Sequence, residues 1–65
     1  MTPKAKKEIL QHLEDVQKDI KAAIYAIKSD HPLAALFNTN LAVAEAERAR
    51  TIFRRERSRA KSTLS

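Results

Sequence analysis

The sequence predicts an all-α protein, an antiparallel two-helix hairpin that dimerises into a four-helix bundle. Three observations lead to this fold class. The 65 residues include no glycine and only two prolines, so tight turns and flexible linkers have few places to form. Apolar residues recur at steps of three and four in both halves, as one face of an amphipathic helix requires. A single break, the stretch SDHP at residues 29–32, divides the halves.

The first helix is expected over about residues 3–28. Thr2 has the side chain of an N-cap, and Pro3 suits the first helical position because its missing N–H has no partner there anyway. A stripe of apolar side chains follows at helical spacing, and we expect it to face the second helix. Its members are Ile9, Leu13, Val16, Ile20, Ala23, Ile24 and Ile27.

The turn is expected at residues 29–32, because a proline disfavours helical backbone at the residue before it. Asp30 and His31 are the favoured caps for the second helix. That helix should run over about residues 32–60 and leave a frayed tail at 61–65, so that residues 1–65 form one unit. A short connection makes the helices antiparallel, and residues equidistant from the turn should meet. The expected pairs are Ile27 with Leu33, Ile24 with Phe37, Ile20 with Leu41, Val16 with Ala44 and Ile9 with Ile52.

A second stripe on helix two consists of small residues and is expected to face away from helix one. From Ala42 onward its steps of four, three and four match a coiled-coil register. Small side chains let another helix approach closely, so the stripe predicts a homodimer interface. The alternative is that alanine, the best helix former, covers an exposed surface. The predicted interface residues are Ala35, Ala42, Ala46, Ala49 and Phe53.

Positive charge is concentrated at one end of the predicted hairpin. Residues 48–61 hold seven cations against Glu56 alone, and the antiparallel arrangement brings the lysines near the amino end beside them. Six of the seven are arginines, whose planar, forked guanidinium suits bidentate contact with phosphate. The predicted nucleic-acid-binding residues are Arg50, Arg54, Arg55, Arg57, Arg59, Lys61, Lys4 and Lys7. The alternative is that these cations favour the helix dipole and keep the protein in solution.

Two function classes follow from these patterns. The first is a small dimeric helical regulator whose arginine-rich pole contacts DNA or structured RNA. The second is a helical interaction module that binds and inhibits or adapts a larger protein, such as a transcription factor or an enzyme. Salt separates the classes, since phosphate binding weakens steeply with ionic strength and apolar binding does not. The second class would use apolar residues outside the predicted helix contact, namely Leu10, Tyr25, Leu36 and Val43.

Catalytic, cofactor and membrane functions lack the residues that they need. Glu8 and His12 are four apart and could share a metal, but two ligands make a weak site, so we predict no metal, no cofactor and no enzyme activity. There is no apolar run of membrane-spanning length and no signal-peptide block near the amino end. The absence of cysteine fits a reducing compartment. We therefore expect a cytoplasmic protein whose partners are a second copy, nucleic acid or another protein.

In length, central turn and helix spans, the chain resembles the Rop family of plasmid hairpins. That resemblance implies a dimeric four-helix bundle that binds RNA. It covers the layout of the chain and no motif, so no functional residue is carried over.

Overall fold

The fold is an antiparallel pair of α-helices, which confirms the predicted helical hairpin. The computed structural model describes the backbone of residues 1–64 and the side chains of residues 1–59. Helix α1 spans Pro3–Lys28 and helix α2 spans Pro32–Leu64, in a rod of 53 × 16 × 11 Å. Helix α2 thus continues past residue 60, the predicted end, since no proline or glycine stops it. The tail predicted to fray at 61–65 has its side chains, and all of Ser65, outside the described residues.

Helix α1 begins with the predicted N-cap. The Oγ1 atom of Thr2 accepts a hydrogen bond from the backbone N–H of Ala5 at 3.1 Å. The carbonyl of Thr2 accepts a second bond from the N–H of Lys6 at 3.0 Å, and Pro3 takes the first helical position. The bond from Lys6 is the first regular bond of the helix. Of the amide groups that a helix start leaves unpaired, that of Ala5 is satisfied by the Thr2 side chain, and Pro3 has no N–H to satisfy.

The turn uses Asp30 to end α1, whereas the sequence indicated Asp30 as a cap for α2. Asp30 has φ = 59°, the left-handed conformation that aspartate tolerates better than most residues. Its N–H bonds the carbonyl of Ile27 at 3.1 Å, and the N–H of His31 bonds the carbonyl of Ala26 at 2.8 Å. This is the Schellman pattern of a helix C-terminus. The carbonyl of His31 then accepts the N–H of Ala35 at 3.0 Å and starts α2.

The contact between the helices, here called the seam, consists mainly of small side chains. Of the predicted apolar pairs, Ile9 with Ile52 is buried and forms a cluster with Ala5, and Val16 and Ala44 are half-buried. The three pairs nearer the turn are wrong, because their side chains are exposed. Ile24, Leu33 and Phe37 are at least half exposed. Small side chains occupy the seam because they let two helix backbones approach closely. The buried apolar residues are Ala5, Ile9, Ala23, Ala26, Ala35, Ala42, Ala49 and Ile52.

The orientation predicted for the alanine stripe of α2 is therefore also wrong for three of its members. Ala35, Ala42 and Ala49 are only 2–4% exposed, and over the described residues 1–64 the element packed against α2 is α1. They recur every seven residues on the seam side of α2. Ala46 and Phe53 are exposed and lie on the adjoining side of that helix. The seam, rather than a dimer contact, explains the register of the three buried alanines.

We predict that enlarging a seam alanine destabilises the hairpin. Ala42→Leu should lower the free energy of unfolding by about 1–3 kcal/mol, since extra methyl groups force the helix backbones apart. Urea denaturation at fixed protein concentration measures this change. The control is Ala34→Leu, because Ala34 is exposed on the same helix and leucine is nearly as good a helix former. Equal midpoints for both variants would show that Ala42 is not packed against α1.

Candidate nucleic-acid interface

The antiparallel packing places cations from both ends of the chain around one cleft. Lys4 of α1 and Arg55 and Arg59 of α2 line a cleft of about 290 Å³ beside the start of α1. Two glutamates, Glu8 and Glu56, share this cleft. The hairpin thus brings together side chains that are about 50 residues apart in the sequence. We call this end of the molecule, residues 1–8 and 50–59, the basic pole.

Arginines of the basic pole occur in two electrostatic settings. Arg55 Nη2 lies 3.9 Å from Glu8 Oε2, and Arg59 Nη1 lies 3.2 Å from Glu56 Oε2. Among the described residues no ion pair involves Arg54 or Arg57, and both are exposed. Exposed guanidinium groups without an acidic neighbour keep their full attraction for phosphate.

The other predicted contact residues lie at different places on the pole. Lys7 is exposed and lines a shallow depression on the outer side of α1 together with Lys6 and Glu14. Arg50 is exposed but lies next to Val43 and Ala46, nearer the turn than the other arginines of the pole. The side chain of Lys61 is outside the described residues. The structure therefore brings Lys4, Arg55 and Arg59 together and leaves Arg50 and Lys7 at the margin.

A buried glutamate links the two helices at the basic pole. Glu56 is 7% exposed, and its Oε1 accepts hydrogen bonds from the N–H of Thr2 at 3.0 Å and from Thr2 Oγ1 at 3.3 Å. These bonds, the backbone bond foremost, hold the pKa of Glu56 below its usual value of 4.5, and the Arg59 charge adds to the effect. The carboxylate also faces the positive end of the α1 dipole. Glu56 thus ties the start of α1 to the far end of α2.

The lowered pKa of Glu56 predicts a loss of stability in acid. A group whose pKa falls on folding stabilises the folded state above its unfolded pKa, here 4.5, and that stabilisation disappears as pH falls through the folded pKa. Glu56→Gln should therefore melt at a lower temperature than the wild type at pH 7 and show a smaller further loss between pH 4.5 and 2.5. Thermal melting followed by circular dichroism measures both effects.

The control for this experiment is Glu47→Gln. Glu47 is exposed on the same helix, and its replacement leaves the contacts of Glu56 with Thr2 intact. This variant should retain the full acid loss of the wild type. Identical pH profiles for Glu56→Gln and the wild type would contradict the tie between the helices.

A second polar contact crosses the middle of the seam. His12 Nδ1 and Glu45 Oε2 are 2.7 Å apart, and Arg48 binds the other oxygen of Glu45. The hydrogen bond with His12 comes first among the causes that hold the pKa of Glu45 below its usual value, and the Arg48 charge adds to it. The arrangement fixes the register of the two helices, since a slip of one turn would separate His12 from Glu45.

His12, Asp15 and Glu45 offer metal-ligand atoms that lie within 4.8 Å of one another. Each already has a protein partner, because Gln11 Nε2 donates to Asp15 Oδ1 at 3.3 Å and His12 binds Glu45. The Arg48 cation beside Glu45 also opposes a divalent ion. The Glu8 and His12 pair considered from the sequence does not form, since Glu8 faces Arg55 and His12 faces Glu45. The cluster is a self-satisfied polar contact.

Sequence reasoning missed Glu56 and Glu45 as partners across the seam. Both lie on the seam side of α2, in register with Ala35, Ala42 and Ala49 at steps of three and four. That register can be read from the sequence, but an acidic residue within it is ordinarily assigned to the solvent-exposed side of a helix. The signal that identifies them is the polar residue at the facing level of α1, Thr2 for Glu56 and His12 for Glu45.

The chain matches no protein-family model, no curated protein and no solved structure. The resemblance to the Rop hairpins thus rests on length, turn and helix spans alone. Neither helix, over the residues that the structure describes, has the length and apolarity that crossing a bilayer demands.

Proposed function

We propose that this chain is a homodimeric helical regulator that binds nucleic acid through its basic pole. One observation carries the proposal: the hairpin gathers Lys4, Arg55 and Arg59 around a single cleft, and Arg54 and Arg57 are exposed on other sides of the same end of α2. Over residues 1–8 and 50–59 there are eight cationic side chains and two glutamates. Such a surface attracts polyanions and releases their counterions on binding. A cytoplasmic location would fit this role.

The ligand expected at the pole is a duplex or a folded RNA. Stacking of single-stranded bases needs exposed aromatic side chains, and the chain has only three aromatic residues. Tyr25 and Phe37 lie near the turn, at the opposite end from the pole. Phe53 is the single aromatic residue within the pole, where it is 44% exposed, so successive bases have no row of rings on which to stack. Phosphate contacts from arginine and lysine therefore supply the binding, with little sequence preference.

An electrophoretic mobility shift with duplex DNA and a stem-loop RNA across a salt series tests the proposal. The logarithm of the association constant should fall linearly with the logarithm of salt, with a slope of about −0.9 for each phosphate contact on a DNA duplex. Failure to shift either nucleic acid at low salt would refute the proposed function.

A second candidate, the protein-interaction module, is favoured by the surface near the turn. Ile20, Ile24, Ile27 and Leu36 line an apolar cleft of about 570 Å³. A partner protein could lay an apolar helix face into this cleft. Its affinity would change little across the same salt series, whereas phosphate binding would fall steeply. A salt-insensitive protein complex without a nucleic-acid shift would favour this candidate.

A further inference from the structure

One side of the hairpin is a continuous apolar surface that the seam does not use. Ile20, Ile24 and Ile27 of α1 line the same cleft as Leu36 and Thr39 of α2, so these five residues lie on one side. The contact between Glu8 and Arg55 marks the opposite side. Residues at steps of three and four along each helix lie on the same side and extend this surface, here called the apolar face. Its large residues are Leu10, Leu13, Ile20, Ile24, Ile27, Leu36, Val43 and Phe53.

We infer that a second copy of the chain covers the apolar face in the antiparallel sense, with the two basic poles at opposite ends of the dimer. From Leu10 to Ile27 the face is about 26 Å long at 1.5 Å per residue, and it is two helices wide. That is on the order of the ~800 Å² per partner of a stable interface. Among the side chains of residues 1–59, Ile9 and Ile52 are the only large apolar ones that are buried, too little for a chain of this size to stand alone.

The apolar face is complementary to itself when one copy is turned end over end. A twofold axis near residues 18–19 of α1 and near residue 41 of α2 makes residues equidistant from it meet, as an isologous interface requires. In this register α1 packs on its counterpart and α2 on its own. The facing pairs are Leu10 with Ile27, Leu13 with Ile24, Gln17 with Ile20, Leu36 with Ala46 and Thr39 with Val43.

Charge decides between this arrangement and a parallel one. A parallel dimer also pairs apolar residues near the turn, but it stacks the two basic poles, with Lys6, Arg50 and Arg57 of each copy pointing toward the other. Each pole has eight cations and two glutamates, and like charges brought together raise the energy of the dimer. The antiparallel register leaves residues 1–8 and 52–59 overhanging the partner's turn, where solvent or a ligand surrounds them.

The overhang sets the span of the ligand, and this step rests on the proposed function. Lys4 faces away from the partner, so the two copies of its cleft lie on opposite faces of the bundle. Arg54 lies on the edge of α2 away from α1, and α2 packs on its own counterpart, so one edge of the bundle presents Arg54 of both copies. Arg54 lies about 13 residues from the axis, so the two Arg54 positions are about 39 Å apart along the bundle at 1.5 Å per residue. A duplex rises about 3.4 Å per base pair. A duplex of about 12 base pairs or more can therefore contact both poles, whereas one of 8 base pairs reaches only one.

Spin labels test the orientation without any nucleic acid. The chain has no cysteine, and Ser58 is exposed, so Ser58→Cys gives one label per chain with little steric change. The antiparallel dimer places the two labels about 50 Å apart, since residue 58 lies 17 residues from the axis at 1.5 Å each. A separation below about 30 Å would overturn the orientation. If no coupling between labels on different chains is detected at high protein concentration, the chain does not dimerise and the inferred second copy is refuted.

Duplexes of 8, 16 and 24 base pairs then test the ligand span with unmodified protein. Engaging the second pole is an intramolecular step, so the affinity should rise at least about 10-fold between 8 and 16 base pairs. Equal affinity per binding site at all lengths would refute the bridging of two poles while leaving the proposed binding intact. Binding to none of the duplexes would refute the proposed function, and the label distance would still decide the orientation.

Discussion

Replacing Arg54, Arg55 and Arg57 together with alanine should lower the affinity for duplex nucleic acid by about 100-fold or more at low salt. Three phosphate contacts are lost, so the slope of affinity against salt should fall in magnitude by about 2.7. The removal of Arg55 also leaves Glu8, its neighbour at 3.9 Å, as an unpaired negative charge facing the ligand. Fluorescence anisotropy over a salt series measures the affinity and the slope.

The matched control removes the same number of charges elsewhere on the hairpin. Lys18 and Lys21 are exposed near the middle of α1, away from the basic pole and from the turn. Lys18→Ala combined with Lys21→Glu removes three units of positive charge and gives the same net charge as the arginine variant. Its affinity should stay within a few-fold of the wild type. If the two variants lose affinity equally, net charge alone drives binding and the pole is not the interface. Circular dichroism should show that both variants keep their helices.

Placing charge on the apolar face should break the dimer. In the double variant Leu13→Glu and Ile24→Glu, residues that meet across the twofold axis both become acidic. Burying unpaired charge opposite like charge costs several kcal/mol, so the dimer should dissociate at least about 100-fold more readily. Because the hairpin core is small, helicity should fall as well. Sedimentation velocity measures the assembly.

Tyr25→Glu with Phe37→Glu is the control for that variant. Both residues are more exposed than Leu13 and Ile24, and their positions in the helix repeat put them on the side marked by Glu8 and Arg55. The control introduces the same two charges and should remain dimeric. If the control dissociates while the Leu13→Glu and Ile24→Glu variant remains dimeric, the interface lies on the opposite side of the hairpin.

The helical hairpin could be predicted from the sequence, but the residues that meet between its two helices could not. Thr2 and Pro3 mark the start of α1, and the spacing of apolar residues indicates the helices. Two neighbouring stripes of α1 both satisfy helical spacing, however, one through Ile9 and Ala23 and the other through Ile20 and Ile24. Spacing cannot say which stripe meets α2. Close approach of the backbones favours the stripe with alanine, whereas the sequence prediction combined both stripes into one face.

The candidate interface was predictable in its location and less so in its internal contacts. The block of arginines and the antiparallel connection together predict a basic pole. That Arg55 pairs with Glu8, and that Arg59 lies beside a Glu56 already bonded to Thr2, depends on the exact rotation of both helices. A shift of one residue, 100° around a helix, would separate these groups. Such detail requires the packed structure.

Sedimentation equilibrium of the unmodified chain tests most directly the central claim, that the exposed apolar face is completed by a second copy. Between about 1 and 300 µM, the mass should rise to twice the 7.4 kDa of one chain, and the melting temperature should rise with it, because association stabilises only the folded form. A mass of 7.4 kDa at every concentration, with one cooperative melting temperature throughout, would contradict the claim.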